Sequence, residues 1–325
     1  MKIAVIGVGS MGQNHARVLD EMDCLLGVAD TNKEVAKKVG KRFGVPWFTK
    51  GSDLLRLNPD GVTISTPAST HLEVALDVID HGIPLLVEKP LARKVEEAEE
   101  MIKAAEKKNV LMAVGMIERY NPVVSTTKTL LSDGDVGNVI SISSRRVSSF
   151  PSRVSDTGVI FDLAIHDIDV MRYLLDDKVV EVYTLGGPTN HGDKYEDHAN
   201  LMIKFSKGVT GVLEVNWLTP HKVRSLAITC SKDYIEVDYI AQSLIVTSSR
   251  LMEYDVSNLF DIPLEHNIRK FSVKRQEPLK REMNDFMESI EKKSKPLVDG
   301  NDGMESMRVV EAAHRSLIEG TSIKL

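Results

Sequence analysis

Apolar and polar positions follow two different rhythms along this chain. In the first third, short unbroken apolar runs at 2–6, 24–29, 61–65, 83–88 and 110–114 alternate with longer stretches at 11–20, 32–43, 70–81 and 94–107. In those longer stretches apolar residues recur every three or four positions, the period of an amphipathic helix, whereas the short runs read as strands buried on both faces. Pro59, Pro67, Gly82 and Pro84 punctuate the ends, and Pro46-Trp47-Phe48 predicts one further short strand. Strand and helix in strict alternation with short connections predict an α/β fold, a doubly wound parallel (Rossmann) sheet over residues 1–120.

From residue 138 the rhythm shortens. Runs at 138–147, 179–186, 199–205, 209–217, 223–230, 233–239 and 243–248 read as strands, joined by turns such as Ser206-Lys207-Gly208 and Ser231-Lys232-Asp233. The expectation is a C-terminal α+β domain, 121–325, on an open, meandering and largely antiparallel sheet. One helix, 160–175, interrupts it and two more, 278–292 and 302–319, close the chain. The stretches 148–157, 187–197 and 250–275 carry neither period.

Composition narrows the function classes. A chain of 325 residues exceeds what one core usually supports, so two domains are expected. A formal charge of -6 with a pI near 5.9 argues against a nucleic-acid binder. The dense charges from Glu96 to Lys108 mix both signs at helical spacing and read as a solvated face. No run approaches the ~18 apolar residues of a membrane span, and the N-terminus enters a strand without a signal-like segment, so a cytoplasmic protein is expected. Cys24 and Cys230 are too few for a disulfide framework or a cysteine-built zinc site; both read as core thiols, and no metal is expected.

The strongest chemical signal is Gly7-Val8-Gly9-Ser10-Met11-Gly12, between the first apolar run and the first helical stretch. Gly7 permits the tight turn, Gly9 lets backbone N–H groups approach a pyrophosphate, and Gly12 lets helix and strand pack closely. The second run ends in Asp30, placed to hold a ribose 2′-hydroxyl and to repel a 2′-phosphate. NAD is therefore expected over NADP, with nearby Lys33 softening the preference. The alternative role for Asp30 is to cap the helix opening at Thr31-Asn32-Lys33.

Four more segments follow strand ends or open the second domain: Ser65-Thr66-Pro67 through His71, Glu88-Lys89-Pro90, Glu118-Arg119-Tyr120-Asn121-Pro122, and Asp162-Leu163-Ala164-Ile165-His166. Thr66, Pro67, His71, Glu88 and Lys89 are assigned to the cofactor side. Asp162 and His166, four apart on a helix, share a face, while Asp167 is expected to turn away. Oxidation of a carbinol needs a proton acceptor, which suits an imidazole with a reference pKa of ~6.5. His166 is the candidate base, and Lys89 would stabilise the developing alkoxide.

The glycine turn, Glu88-Lys89-Pro90 and Asp162 to His166, in that order, resemble the glucose–fructose oxidoreductase and inositol dehydrogenase (Gfo/Idh/MocA) family, over essentially the whole chain. The resemblance implies a Rossmann domain followed by an open-faced sheet domain, with the last helices returning to the first domain. It also implies NAD(P)-dependent catalysis by Lys89 and His166, a substrate-binding Asp162, and a cis Lys89–Pro90 bond. The glycine-rich stretch usual before the Asp is reduced here to Thr157-Gly158-Val159. Arg145-Arg146-Val147 through Val159, Trp217 to Arg224 and Val237 to Gln242 look most like the family's UDP-N-acetylglucosamine 3-dehydrogenase branch. A UDP-sugar needs cations and a flat surface, supplied in this reading by Arg146, Arg153, Lys222, Arg224 and Trp217, with Arg119 and Tyr120 beside the sugar. Inositol or a free sugar, or a non-catalytic NAD-binding regulator, are the alternatives. Apolar residues on the open sheet call for a cover, so a homodimer or homotetramer is expected.

Overall fold

A computed structural model describes residues 1–150, 157–189, 195–251 and 264–325, and the chain divides into two compact units. The first comprises Met1–Tyr120 and Glu277–Arg308. It opens with β1 (Ile3–Ile6), α1 (Ser10–Glu21), β2 (Leu25–Ala29), α2 (Lys33–Phe43), β3 (Trp47–Phe48) and α3 (Gly51–Leu55). It continues with β4 (Gly61–Ile64), α4 (His71–Asp80), β5 (Leu85–Glu88), α5 (Val95–Lys108) and β6 (Met112–Gly115). All six strands are parallel, in the order β3-β2-β1-β4-β5-β6. The order reverses between β1 and β4, and ligands of such sheets bind in the crevice beyond the carboxyl ends at that reversal.

The second unit, Asn121–Gln276 with Val309–Leu325, contains α6 (Pro122–Asp133), β7 (Val139–Ser149), α7 (Ile165–Leu175), β8 (Val179–Gly187) and β9 (His198–Phe205). β10 (Thr210–Asn216), β11 (Leu218–Cys230), β12 (Asp233–Asp238), β13 (Ser243–Leu251) and β14 (Leu264–Phe271) follow. Helix α8 (Pro278–Lys292) belongs to the first unit. Helix α9 (Gly300–Glu319) is divided between the units at Arg308, and β15 (Ile323–Lys324) ends the chain in the second. The nine strands form one mixed, largely antiparallel sheet, ordered β14-β13-β12-β11-β7-β10-β9-β8-β15.

Besides the short α3 and β15, which the periodicity reading does not contain, three features depart from it. The sheet is not a simple meander: β7 sits at its centre, antiparallel to β11 but parallel to β10. Helix α6 was hidden by Ser125, Thr126, Thr127, Thr129 and Ser132, weak helix formers whose hydroxyls bond back to carbonyls three or four residues earlier. Its start was nevertheless marked, since Asn121 caps Val123 N–H and Pro122 occupies the first turn. Strand β14 falls in a stretch read as irregular, because an edge strand pairing only with β13 needs little apolar alternation.

In the first unit α1, β1 and α8 share one core. Ile3, Val5, Val18, Leu19 and Val28 cluster with Leu279, Met283 and Phe286, all buried. Each such side chain contributes about 1.5–3 kcal/mol. The 298–299 segment extends the sheet edge: Val114 N–H donates to Val298 O, and Ala113 bridges Asp299. Among the described residues no helix is long and apolar enough to cross a membrane.

Candidate active site

The glycine turn is held by contacts that admit no side chain. Gly7 has φ +84°, and a Cβ there would lie 2.6 Å from Thr66 N. A Cβ on Gly12 would meet Gly7 O at 1.9 Å, so α1 rests directly on the turn after β1. Gly9 differs: its φ is -66° and a Cβ would touch nothing within 4 Å. Packing within the protein does not demand glycine there, whereas close approach of a phosphate to the helix end does. No side chain caps α1 and its first turn carries no acid, so the partial positive charge of that end stays available. With Ser10 and Met11 completing the turn, these residues fit the pyrophosphate of a dinucleotide.

Asp30 follows β2, where its Oδ2 accepts Val8 N–H at 2.9 Å and its Oδ1 accepts Asn32 N–H at 2.9 Å. The carboxylate is thus fixed against the glycine turn with lone pairs to spare for a diol. Capping of α2 falls to Asn32, whose side chain accepts from Glu34 and Val35.

The turns after β4 and β5 are tied together. Thr66 Oγ1 accepts from Thr70 Oγ1 at 2.9 Å, and Pro67 is exposed. His71 is 1% exposed, with Nε2 at 2.9 Å from Thr66 O and Nδ1 at 3.0 and 3.2 Å from Pro90 O and Leu91 O. Backbone carbonyl oxygens of both turns thus surround the His71 ring, which lies between the two strand-end turns. Glu88 ends β5, and its Oε2 accepts the N–H of half-buried Lys89, which precedes a cis peptide to Pro90. Its Oε1 lies 2.8 Å from Nε2 of His15, buried on α1. Gly115 makes room, since a Cβ there would stand 3.0 Å from the Glu88 carboxyl carbon.

Arg119 and Tyr120 make hydrogen bonds inside the first unit. Arg119 is buried and donates to Leu297 O and to Asp302 at 3.2 Å. The Tyr120 hydroxyl donates to Asp285 at 2.9 Å, and burial, then the charges of Glu282 and Asp285, push its pKa well up.

In the second unit Asp162 lies in a π-helical turn, Ile160–Ala164, that runs into α7, where His166 is half-buried. Such π-helical insertions concentrate at functional sites. The N–H groups that open this turn are held by Glu196, whose main-chain O accepts from Val159 and whose Oε1 accepts from Ile160 at 3.1 Å. A Cβ on Gly158 would lie 2.0 Å from Glu196 Oε1. One glycine therefore serves this helix start, and nothing in the spacing pointed to Glu196.

Asp167 is buried rather than turned away. It takes hydrogen bonds from Arg146 and from Ser144 Oγ, the latter at 2.6 Å. Arg146 is 1% exposed and its guanidinium lies 5.5 Å from the Tyr239 ring centroid. Its charge is compensated by Asp167. Trp217 is buried against the edge of Phe150, at 5.3 Å between centroids, and its indole Nε1 has no hydrogen-bond partner among the described residues. Arg153 lies outside the described residues.

A 3-2-1-4-5-6 parallel sheet, a glycine turn at its reversal and an acid closing β2 define a dinucleotide-binding Rossmann protein. The family model described as "Oxidoreductase family, NAD-binding Rossmann fold" matches residues 1–116, and that of the GFO/IDH/MocA C-terminal domain matches 124–236. UDP-N-acetylglucosamine 3-dehydrogenase of Acidithiobacillus ferrooxidans is 31% identical over 75% of this chain and 76% of that protein. Its solved structure superposes with a TM-score of 0.86 at 26% identity, covering 98% of this chain and 97% of that one. Myo-inositol 2-dehydrogenase of Thermotoga maritima is 25% identical over 100% of this chain and 98% of that protein. The chain belongs to the Gfo/Idh/MocA oxidoreductase family. It is a dehydrogenase that binds NAD and acts on CH–OH groups, which sets aside the regulator alternative.

Two expectations follow. Asp30→Ala removes two charge-assisted hydrogen bonds, each worth about 1.5–3 kcal/mol, and should weaken NADH about ten- to a hundredfold while NADPH gains relative to it. Titration of cofactor fluorescence checks this, and an unchanged NADH:NADPH ratio removes Asp30 from the ribose site. Burial holds the His71 imidazole below its ordinary value, about 6.5. On acidification the unfolded chain takes up a proton that the folded one refuses. His71 stability is therefore complete above about pH 6.5 and falls on acidification by up to ~1.4 kcal/mol per pH unit. Urea midpoints should fall more steeply below that pH in the parent than in His71→Gln; equal slopes would exclude His71 as the titrating group.

Proposed function

We propose that the protein oxidises the 3-hydroxyl of UDP-N-acetylglucosamine to the 3-keto sugar, with NAD preferred over NADP. The observation that carries the reading is the 31% identity with a UDP-N-acetylglucosamine 3-dehydrogenase across three quarters of both chains. Bound NAD supplies the hydride acceptor. Lys89 donates a hydrogen bond to the reacting oxygen, His166 accepts the hydroxyl proton, and Asp162 binds the sugar. Trp217, with a buried indole N–H that finds no acceptor among the described residues, offers both a ring surface and a donor. Lys222, Arg224 and Arg153 are the cations assigned to the pyrophosphate, beside Arg146, whose charge Asp167 compensates.

Myo-inositol is the second reading, favoured by the full-length match to an inositol dehydrogenase and by the compensated charge of Arg146. The expected oligomer is a homodimer or homotetramer built on the open sheet face. Met202 and Val212 sit opposite one another there, 64% and 48% exposed.

Absorbance of NADH should rise with UDP-N-acetylglucosamine and not with myo-inositol; the reverse would overturn the substrate. Lys89→Ala should lower kcat about 10²–10⁴-fold with NADH affinity kept, and unchanged turnover would remove Lys89 from catalysis. By light scattering, Met202→Glu should dissociate the parent oligomer. A monomeric parent would end that part of the reading.

A further inference from the structure

Beneath the strand end that presents Lys89 lies a closed group of three ionisable side chains, contributed by α1, β5 and α8 of the first unit. Nitrogen and oxygen atoms of His15, Glu88 and Glu282 lie within 4.8 Å of one another, and all three residues are buried. Two partners are already fixed: His15 Nε2 stands 2.8 Å from Glu88 Oε1, and Glu88 Oε2 accepts the Lys89 N–H at 3.1 Å. On its other side His15 Nδ1 faces Ser65 Oγ at 3.5 Å, at the end of β4. Glu282 is the unexplained member. It is fully buried, and neither carboxyl oxygen has a hydrogen-bond partner among the described residues.

An ionised carboxylate in that position would be an uncompensated buried charge beside a second carboxylate, an arrangement that costs several kcal/mol. The surrounding groups offer it no relief. Asp285, one turn along α8, already accepts from Tyr120 Oη and Leu297 N–H, and Arg119 is turned to Leu297 O and Asp302. The Nε2 of His15 is already spent on Glu88. As a neutral acid, by contrast, Glu282 gains an O–H donor with a carboxylate acceptor close by. Burial, reinforced by the charges of Glu88 and then Asp285, pushes the Glu282 carboxyl well above the usual carboxylate range.

We propose that Glu282 carries a proton at neutral pH, so that a neutral acid, not a second carboxylate, stands beside Glu88, which meets His15 and anchors the backbone of Lys89. Glu282 is then a positioning residue. It touches neither cofactor nor substrate and acts on the β5 end through Glu88. Its bearing on catalysis rests on the assignment of Lys89 made above; its protonation does not.

The parent, Glu282→Gln, Glu282→Ala and Lys89→Ala test this together. Difference infrared spectra at neutral pH should show the carbonyl stretch of a buried protonated carboxylic acid in the parent and in Lys89→Ala, and lose it in Glu282→Gln. Gln copies the neutral acid, so it should keep kcat within about threefold of the parent, whereas Ala should lose more. A carboxyl raised above its unfolded value confers stability that is present in acid and lost as pH rises. The urea midpoint of the parent should therefore fall more steeply than that of Glu282→Gln as pH rises from about 4.5 to neutral. Absence of the acid band, equal pH slopes, a Gln variant as impaired as Ala, or a stoichiometric divalent cation in the parent that Glu282→Gln lacks would each overturn the proposal. If Lys89→Ala keeps both full turnover and the acid band, the catalytic assignment of Lys89 fails while the protonated Glu282 stands.

Discussion

The first unit depends on one close approach. Helix α1 lies on the turn after β1 with Gly12 so near Gly7 O that a single added carbon would overlap it, and Gly7 is pressed equally hard against the backbone at Ser65 and Thr66. These two contacts aim the open end of α1 into the crevice where the strand order reverses, and they bring β4's turn to the same place. Asp30 then reaches across from β2 to hold Val8. Nothing in this arrangement is specific to a sugar. It fixes where a dinucleotide lies, and the strand ends beside it inherit their positions from that.

Both units place charged groups out of water and compensate them by different means. In the second unit the Arg146 guanidinium is matched by Asp167, with Ser144 and the Tyr239 ring completing its surroundings. Such a pair adds little net stability, but removal of one partner strands the other. In the first unit Glu88 is met by His15, and the acid beside it has no cation to answer it. Around the helix start at Val159 the compensation is a carboxylate against backbone N–H groups, from Glu196.

The parallel half was legible because its signals are local: an apolar run buried on both faces, a glycine turn, and an acid closing the next strand. Strand order in the mixed sheet was not, since period-two alternation marks a strand without naming its neighbours. Arg145 and Arg146 show the limit at the scale of single residues. Alternation puts consecutive side chains on opposite faces, yet only pairing shows that Arg145 meets Glu214 on the outer face while Arg146 turns inward to Asp167. His71 shows a related limit: its position beside a strand-end turn is legible, and the three carbonyl oxygens around its ring are invisible in sequence. Glu196 and Glu282 carry no motif, for each acts on residues far away along the chain.

Because Leu279, Met283 and Phe286 complete the core begun by Ile3 and Val5, the nucleotide-binding unit is discontinuous along the chain. On the ribosome its first 120 residues emerge with part of that apolar surface uncovered, and the remedy, α8, is synthesised only after β7 to β14 of the mixed sheet. A nascent chain halted between Tyr120 and Glu277 therefore presents a sticky, unfinished domain, the species for which chaperones compete. Vectorial synthesis thus defers both units: each is completed only by late-emerging residues, Glu277–Arg308 for the first and Val309–Leu325 for the second.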